Sequence, residues 1–301
     1  MSTGDNTLFL RLAGVMQSWG TSSRIQIRRT DLFPSKSGVL GMLLCAMGVH
    51  REDSSQALEP LNRLLMGVRV DRGGIPDWDY HTAGAKIGIR RADGKGPKET
   101  AKTGEYETLL SRRQYLYDAS FLVAFQGDAG TIATCAKALS DPVWPLFLGR
   151  KCCIPGEPVL VGTGSFDTLT EALVSIPWQP RVPSIDNPDY SLSRTLDVWI
   201  EHPPESGIPE GARLVYDSPV VFGFWSHGPR WVVRDQITVP VGDETQTPQR
   251  KPHHGDPYSA HFRKVAAPNR LLQNSAQSKK KNPLTGNGFR GWVSNFLVGG
   301  M

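Results

Sequence analysis

The strongest constraint on this chain is an ordered change of hydrophobic period. Residues 7–13, TLFLRLA, put Leu8, Leu10 and Leu12 on one side and Phe9, Arg11 and Ala13 on the other, which predicts a strand with one core face. Residues 24–30, RIQIRRT, alternate again, with Ile25 and Ile27 inward and Arg24, Gln26 and Arg28 outward. The period then lengthens. Val39, Leu40, Leu43 and Met47 follow a helical spacing, with Ser35 or Ser37 available to cap its start and Gly48 to end it. SSQALEPLNRLLMG predicts a second short helix, bent at Pro60. VRVD predicts a strand, ASFLVAFQGD a central strand, AGTIATCAKALSDP a helix ending before Pro142, and PVLVGTG a further strand.

Between these halves, residues 79–114 are rich in Gly, Lys and Arg and poor in large apolar residues. Such a segment buries little. It predicts an arm, most simply a long β-hairpin, projecting from the body. The order strand, helix, strand, arm, strand, helix, strand fits an α+β, ferredoxin-like (RRM-like) βαββαβ unit with a mid-fold insertion. On this reading residues 1–178 form the first domain and residues 179–245, with TLDVWIE, ARLVYDS and RWVVRDQITVPV, a small β subdomain. Residues 246–301 form a basic C-terminal tail carrying nine Lys or Arg and one acid, Asp256. The whole chain has a net charge of +5, so the tail holds +8 and the rest −3. A body of that charge must bind an anion through local clusters.

Several classes are disfavoured. No apolar run reaches the roughly 20 residues of a membrane span, and MSTGDNTLFLRL lacks the basic start and apolar centre of a secretory signal. Cys45, Cys135 and the adjacent Cys152 and Cys153 have no C-x-x-C spacing, so neither structural zinc nor a disulfide framework is expected, and a cytoplasmic setting fits. No phosphate-binding G-x-x-x-x-G-K-[ST] motif is present. No cofactor and no metal are expected.

Three clusters carry candidate chemistry. The loop after the first strand contains Gln17, Ser18, Trp19 and Gly20. Its Trp either stacks on an unpaired base or tucks into the core. Arg24, Arg28, Arg29 and Lys36 lie close together against one acid, Asp31. Ser35, Lys36 and Ser37 sit at a helix start, where free N–H groups attract phosphate. Gly149, Arg150 and Lys151 form a basic loop after an apolar run. Three such clusters on one ferredoxin-like frame point to a groove for single-stranded RNA.

The blocks LRLAGVMQSWG, RIQIRRTDLFPSKSGVLGML, RRQYLYDASFLVAF and DPVWPLFLGRKCCIPGEPV, with VYDSP and RWVVRDQITV later, resemble the CasD family, the Cascade subunit of type I-E CRISPR systems, over residues 8–239. The resemblance implies a noncatalytic RNA-binding subunit of a ribonucleoprotein for antiviral defence, of the RAMP superfamily. It implies a protein that holds the 5′ handle of crRNA, caps the backbone of CasC subunits and contacts the large subunit CasA, in a complex that holds target DNA. The arm then becomes a thumb lying across the start of the spacer, with Lys86, Arg90, Arg112 and Arg113 as RNA contacts. The basic tail departs from the family pattern.

Two alternatives compete. A related type I-C family cleaves pre-crRNA without metal, and Tyr80, His81 and Lys86 are close enough in sequence to supply such chemistry. The tail histidines His253, His254 and His261 lack the paired cysteines or carboxylates of a metal-dependent nuclease. A general RNA-binding protein would instead use the tail charge, with high salt sensitivity and little handle preference.

Overall fold

The computed structural model describes residues 4–21, 26–84, 88, 89, 99, 106, 108–180, 192–221 and 226–242. In chain order its elements are β1 (Thr7–Ala13), β2 (Met16–Gln17), β3 (Ile27–Arg28), α1 (Lys36–Met47), α2 (Ser54–Asn62), β4 (Leu65–Arg72), β5 (Ile75–Ala83), β6 (Leu109–Tyr117), β7 (Ser120–Gln126), α3 (Ala129–Ser140), β8 (Leu160–Gly164), α4 (Leu169–Ser175), β9 (Ser193–His202), β10 (Arg213–Val221) and β11 (Ser226–Pro240). Seven strands form a sheet in the order β10-β11-β9-β4-β7-β1-β8, and every pairing in it is antiparallel. A second, smaller sheet is built on β6, which pairs with β2, β3 and β5. The fold is therefore mixed α/β.

β1 differs from its expected form. Its alternation is present, but all seven residues are buried, so it has two core faces instead of one. Leu8, Leu10 and Leu12 join Leu40 and Leu43 of α1 and Ile132 and Cys135 of α3. Phe9 faces the other way, into a second cluster with Leu122, Leu169 and Leu173. The cover on that face is α4, an element the periodicity reading passed over. Its start was signalled by Thr168 and Glu171 at capping-box spacing: Thr168 Oγ1 accepts from the Glu171 N–H at 3.2 Å. The far end of α4 is closed by Arg69, which is fully buried. Arg69 donates to the Leu173 and Ile176 carbonyls at 2.6 and 2.5 Å and forks onto Asp71 at 2.6 and 3.1 Å. A cation there meets the negative end of the helix dipole.

The boundary placed at residue 178 does not divide the structure. β9 pairs with β4 through Gly67–Ile200, Val68–Trp199 and Arg69–Val198, so β9, β11 and β10 extend the main sheet. Residues 1–250 form one compact unit. Short apolar strands between Pro- and Gly-rich loops have the same local pattern whether they close a sheet of their own or extend another. The pairing partner, far back in the chain, decides.

The expected helix start at Ser35 and its end at Gly48 are both found. The Ser35 side chain accepts from the Gly38 N–H, and Gly48 adopts φ +71°. The charges around that start form a closed network. Lys36 Nζ donates to Glu201 Oε1 at 2.8 Å and to the Asn62 carbonyl at 3.0 Å, while its backbone N–H donates to Asp217 Oδ2 at 2.8 Å. Arg230 donates to Asp217 at 2.5 and 2.9 Å and lies 3.4 Å from Glu201 Oε2, which also accepts from the Met66 N–H at 3.0 Å. All four charged side chains are buried. Burial pulls the Lys36 pKa down, and Glu201 opposes that shift.

Removing one member leaves opposite charges buried without compensation, which costs about 3–5 kcal/mol. Glu201→Gln should therefore lower the unfolding free energy by about that amount, measured by urea denaturation, whereas Glu59→Gln, from an exposed ion pair with Arg63, should change it by less than about 1 kcal/mol.

Candidate nucleic-acid interface

The loop that carries Trp19 folds inward. Gln17, Ser18 and Trp19 are buried, and Trp19 is only 1% exposed. Gln17 explains the arrangement. Its amide nitrogen donates to the Leu12 and Ala119 carbonyls at 2.9 and 2.8 Å, and its oxygen accepts from the Trp19 indole N–H at 2.9 Å. The Trp ring lies against Gly38 of α1, where an added Cβ would come within 3.0 Å of it. Trp19 therefore has no open face for a base, and the stacking role is corrected to a core role. Gly20 alone of this group is exposed.

The helix-start anion site is likewise corrected. Lys36 and Ser37 are buried, and the positive end of α1 is met by the protein's own Asp217 and Ser35. Arg24, Lys86 and Arg90 lie outside the described residues, as do most of the segment joining β5 to β6 and all of residues 243–301, with His253, His254 and His261.

The remaining candidates meet around β6. β3 lies parallel to it, Ile27 opposite Arg112 and Arg28 opposite Arg113. Ile27, expected inward, is 49% exposed, because β3 is a two-residue strand on the small sheet and not a core strand. Arg150 holds the corner. It donates to the Gln114 carbonyl at 2.9 Å and the Arg28 carbonyl at 3.2 Å, and its guanidinium lies 4.7 Å from the Tyr115 ring centre. Gly149 makes this approach possible. It adopts φ +98°, and a Cβ there would lie 1.8 Å from the Ser18 carbonyl oxygen. The Ser18 N–H also donates to the Leu148 carbonyl at 3.0 Å, so the two loops singled out separately in the sequence form one unit.

The result is a strip of cations. Arg28, Arg29, Arg112 and Lys151 are exposed, and Arg113 and Arg150 are half-buried. Arg112 lies over the Trp78 ring at 5.3 Å, and Arg113 donates to Ser111 Oγ at 3.2 Å with Asp79 opposite it in register. Tyr80 is exposed opposite Arg112, and the His81 carbonyl accepts from Ser111 Oγ at 3.5 Å. Cys152 sits on the strip, exposed, its Sγ 3.4 Å from Tyr115 Oη. Burial pushes the thiols of Cys135 and Cys153 up to about 12. Among the described residues no group of three or more His, Cys, Asp or Glu is placed to hold a metal ion.

A mixed α/β chain with this sheet has counterparts among the CRISPR-associated proteins. The family model described as CRISPR-associated protein (Cas_Cas5) matches residues 7–263, which runs past the boundary placed near residue 245. The CRISPR system Cascade subunit CasD of Escherichia coli (strain K12) is 34% identical over 179 residues, covering 56% of this chain and 75% of that protein. A crystal structure of a Cas protein is 32% identical with a TM-score of 0.54, covering 78% of this chain and 98% of that one. A chain of a CRISPR RNA-guided surveillance complex is 30% identical with a TM-score of 0.60, covering 79% and 93%. The chain belongs to the Cas5 family of CRISPR-associated proteins, in its CasD group of type I-E Cascade subunits.

Two outcomes follow from the burial pattern. Trp19→Ala should cost about 3–5 kcal/mol of stability, as removal of a large core side chain does, measured by chemical denaturation. A maleimide reagent at neutral pH should label Cys152 in the folded protein and leave Cys135 and Cys153 unlabelled. Their thiolates form only as the pH approaches about 12, and peptide mass spectrometry reads the difference.

Proposed function

We propose that this chain is a noncatalytic RNA-binding subunit of a type I-E surveillance complex, holding the 5′ handle of crRNA on the strip around β6. The observation that carries the reading is the Arg150 corner, which fixes β3, β6 and the loop at residues 147–151 into one surface with Arg28, Arg112 and Lys151 exposed on it. Arginine and lysine side chains in such a row match successive phosphates of a single strand. The strand order β8-β1-β7-β4, with α1 and α3 in the crossovers, supports reading these elements as the ferredoxin-like βαββαβ frame. The long β5–β6 ladder, from Ile75–Tyr117 to Ala83–Leu109, supports reading it as the base of a thumb laid across the start of the spacer.

The family membership supports the rest. The chain would cap a backbone of CasC subunits beside the large subunit CasA, and the assembled complex would hold target DNA. Residues 246–301 would serve assembly or DNA contact and leave the handle to the folded body.

Fluorescence anisotropy of labelled handle RNA over a series of salt concentrations tests this reading. Arg28→Ala and Lys151→Ala should each weaken binding and lower the salt slope by about one, the signature of one lost phosphate contact. Bound RNA should protect Cys152 from maleimide. Repeat RNA should survive incubation in Mg²⁺ and in EDTA. Specific cleavage that disappears in His81→Ala would instead establish the endoribonuclease alternative.

A further inference from the structure

Beside the strip lies a cleft of about 810 Å³ between the segment preceding α1 and strands β9 and β10. Its walls combine apolar and polar side chains, with Arg213 and Arg234 among them. Phe33 and Trp199 stack with ring centres 4.4 Å apart and planes 18° apart, Arg234 lies over the Trp199 ring at 5.8 Å, and Val215 and Leu32, the latter 63% exposed, also line the cleft. Three carboxylates face it. Asp217 is consumed by Arg230 and the Lys36 N–H, and Asp197 is paired with Arg234 and Gln236, each at 3.0 Å. Asp31 differs. Its Oδ2 accepts from the Thr21 N–H at 3.1 Å and the Thr21 hydroxyl at 2.8 Å, and among the described residues no cation pairs with it. Its backbone is fixed by a bridge to Trp19, with the Asp31 N–H donating to the Trp19 carbonyl at 2.8 Å. Burial pushes its carboxyl pKa up against the hydrogen bonds from Thr21.

The cleft is thus a preorganised slot, apolar where Phe33, Trp199 and Val215 line it, with one acceptor of unspent capacity, two residues along the chain from the exposed Arg29. Its volume suits a single nucleotide. The ligand that fits is flat, apolar on its faces and donor-bearing on its edge. Among the bases, guanine presents two adjacent N–H donors, N1–H and N2–H, which the two open lone pairs of Asp31 Oδ1 can accept, since Oδ2 is occupied by Thr21. We propose that this cleft receives one unpaired base of the RNA held on the strip and that Asp31 selects guanine there. The proposal rests on the RNA-holding reading above and adds to it a sequence-reading residue apart from the phosphate contacts.

The test is selection of a randomised short single-stranded RNA library by the full-length chain, followed by sequencing. The wild-type protein should enrich guanine over uracil at one position by about tenfold, the discrimination of a good bidentate contact. Asp31→Ala should erase that preference while preferences at other positions persist. Asp31→Asn keeps a carbonyl acceptor for Thr21 and replaces the second acceptor by a donor, so it should shift the preference away from guanine even if the Ala variant folds poorly. RNA binding with the same profile in wild type and Asp31→Asn would overturn the cleft assignment and leave the strip standing. That outcome, joined to impaired assembly of Asp31→Asn with partner subunits, would assign the cleft to a basic side chain of a partner. Failure of the wild-type chain to bind RNA at all would overturn both readings.

Discussion

The start of α1 is where this fold is tied together. Lys36, Glu201, Asp217 and Arg230 are four buried charges of zero net sum, drawn from α1, β9, β10 and β11. Such a set contributes little net stability compared with apolar residues of the same volume, because desolvation offsets the attraction. What it supplies is position. Each carboxylate oxygen and each cation has a directed partner, so the outer three strands can meet α1 in one register only. Glu201 also accepts from the Met66 N–H in β4, which links the network directly to the centre of the main sheet.

From that anchor the basic strip is built by contact. A fixed α1 places Gly38 under the Trp19 ring, and Trp19 holds the strand-like bridge to Asp31. Gln17 ties the same loop to the end of β1 and the start of β7 through two carbonyls. Ser18 then meets Leu148 and Gly149, and Arg150 reaches out to β3 and β6. The residues that shape the strip are therefore mostly buried and neutral, while its exposed cations lie one or two positions away. Mutating the first kind changes the fold; mutating the second leaves it intact.

This division explains what the sequence made legible. The periods of α1, α3, β7 and β8, the caps of α1 and the basic loop at residues 149–151 are local signals and appear where expected, whereas residues 24–30 yield only the two-residue β3 and the helix expected over residues 54–67 ends at Asn62 and gives way to β4 from Leu65. Trp19 and Lys36 are different. A Trp in a Gly- and Ser-rich loop and a Lys at a helix start have the same local pattern whether exposed or buried. Their fates depend on Gln17 bonding Ala119 and Lys36 bonding Glu201, across 102 and 165 residues of chain. α4 carried a local signal in Thr168 and Glu171, yet a helix of seven residues shows too little period to stand out. Asp31, counted in the sequence only as an acid diluting a basic cluster, gains its interest from what lies across the cleft.

The charge of the body raises a last point. Outside residues 246–301 the chain carries −3, a net charge that by itself disfavours a polyanion. Part of the acidic charge lies away from the strip. The Gln126 end of β7, paired with Leu65, adjoins a recess lined by Asp167, Glu201 and Asp235, whereas the Ser120 end follows directly from β6 and its arginines. Seven residues of strand span roughly 20 Å, about twice the screening length of physiological salt. The acids at one end therefore do little to cancel the cations at the other. On the strip itself Asp79 faces Arg113 in register and Asp77 lies two residues before Asp79, so the cations there are interleaved with acids, and net charge is the wrong quantity from which to infer what this surface binds.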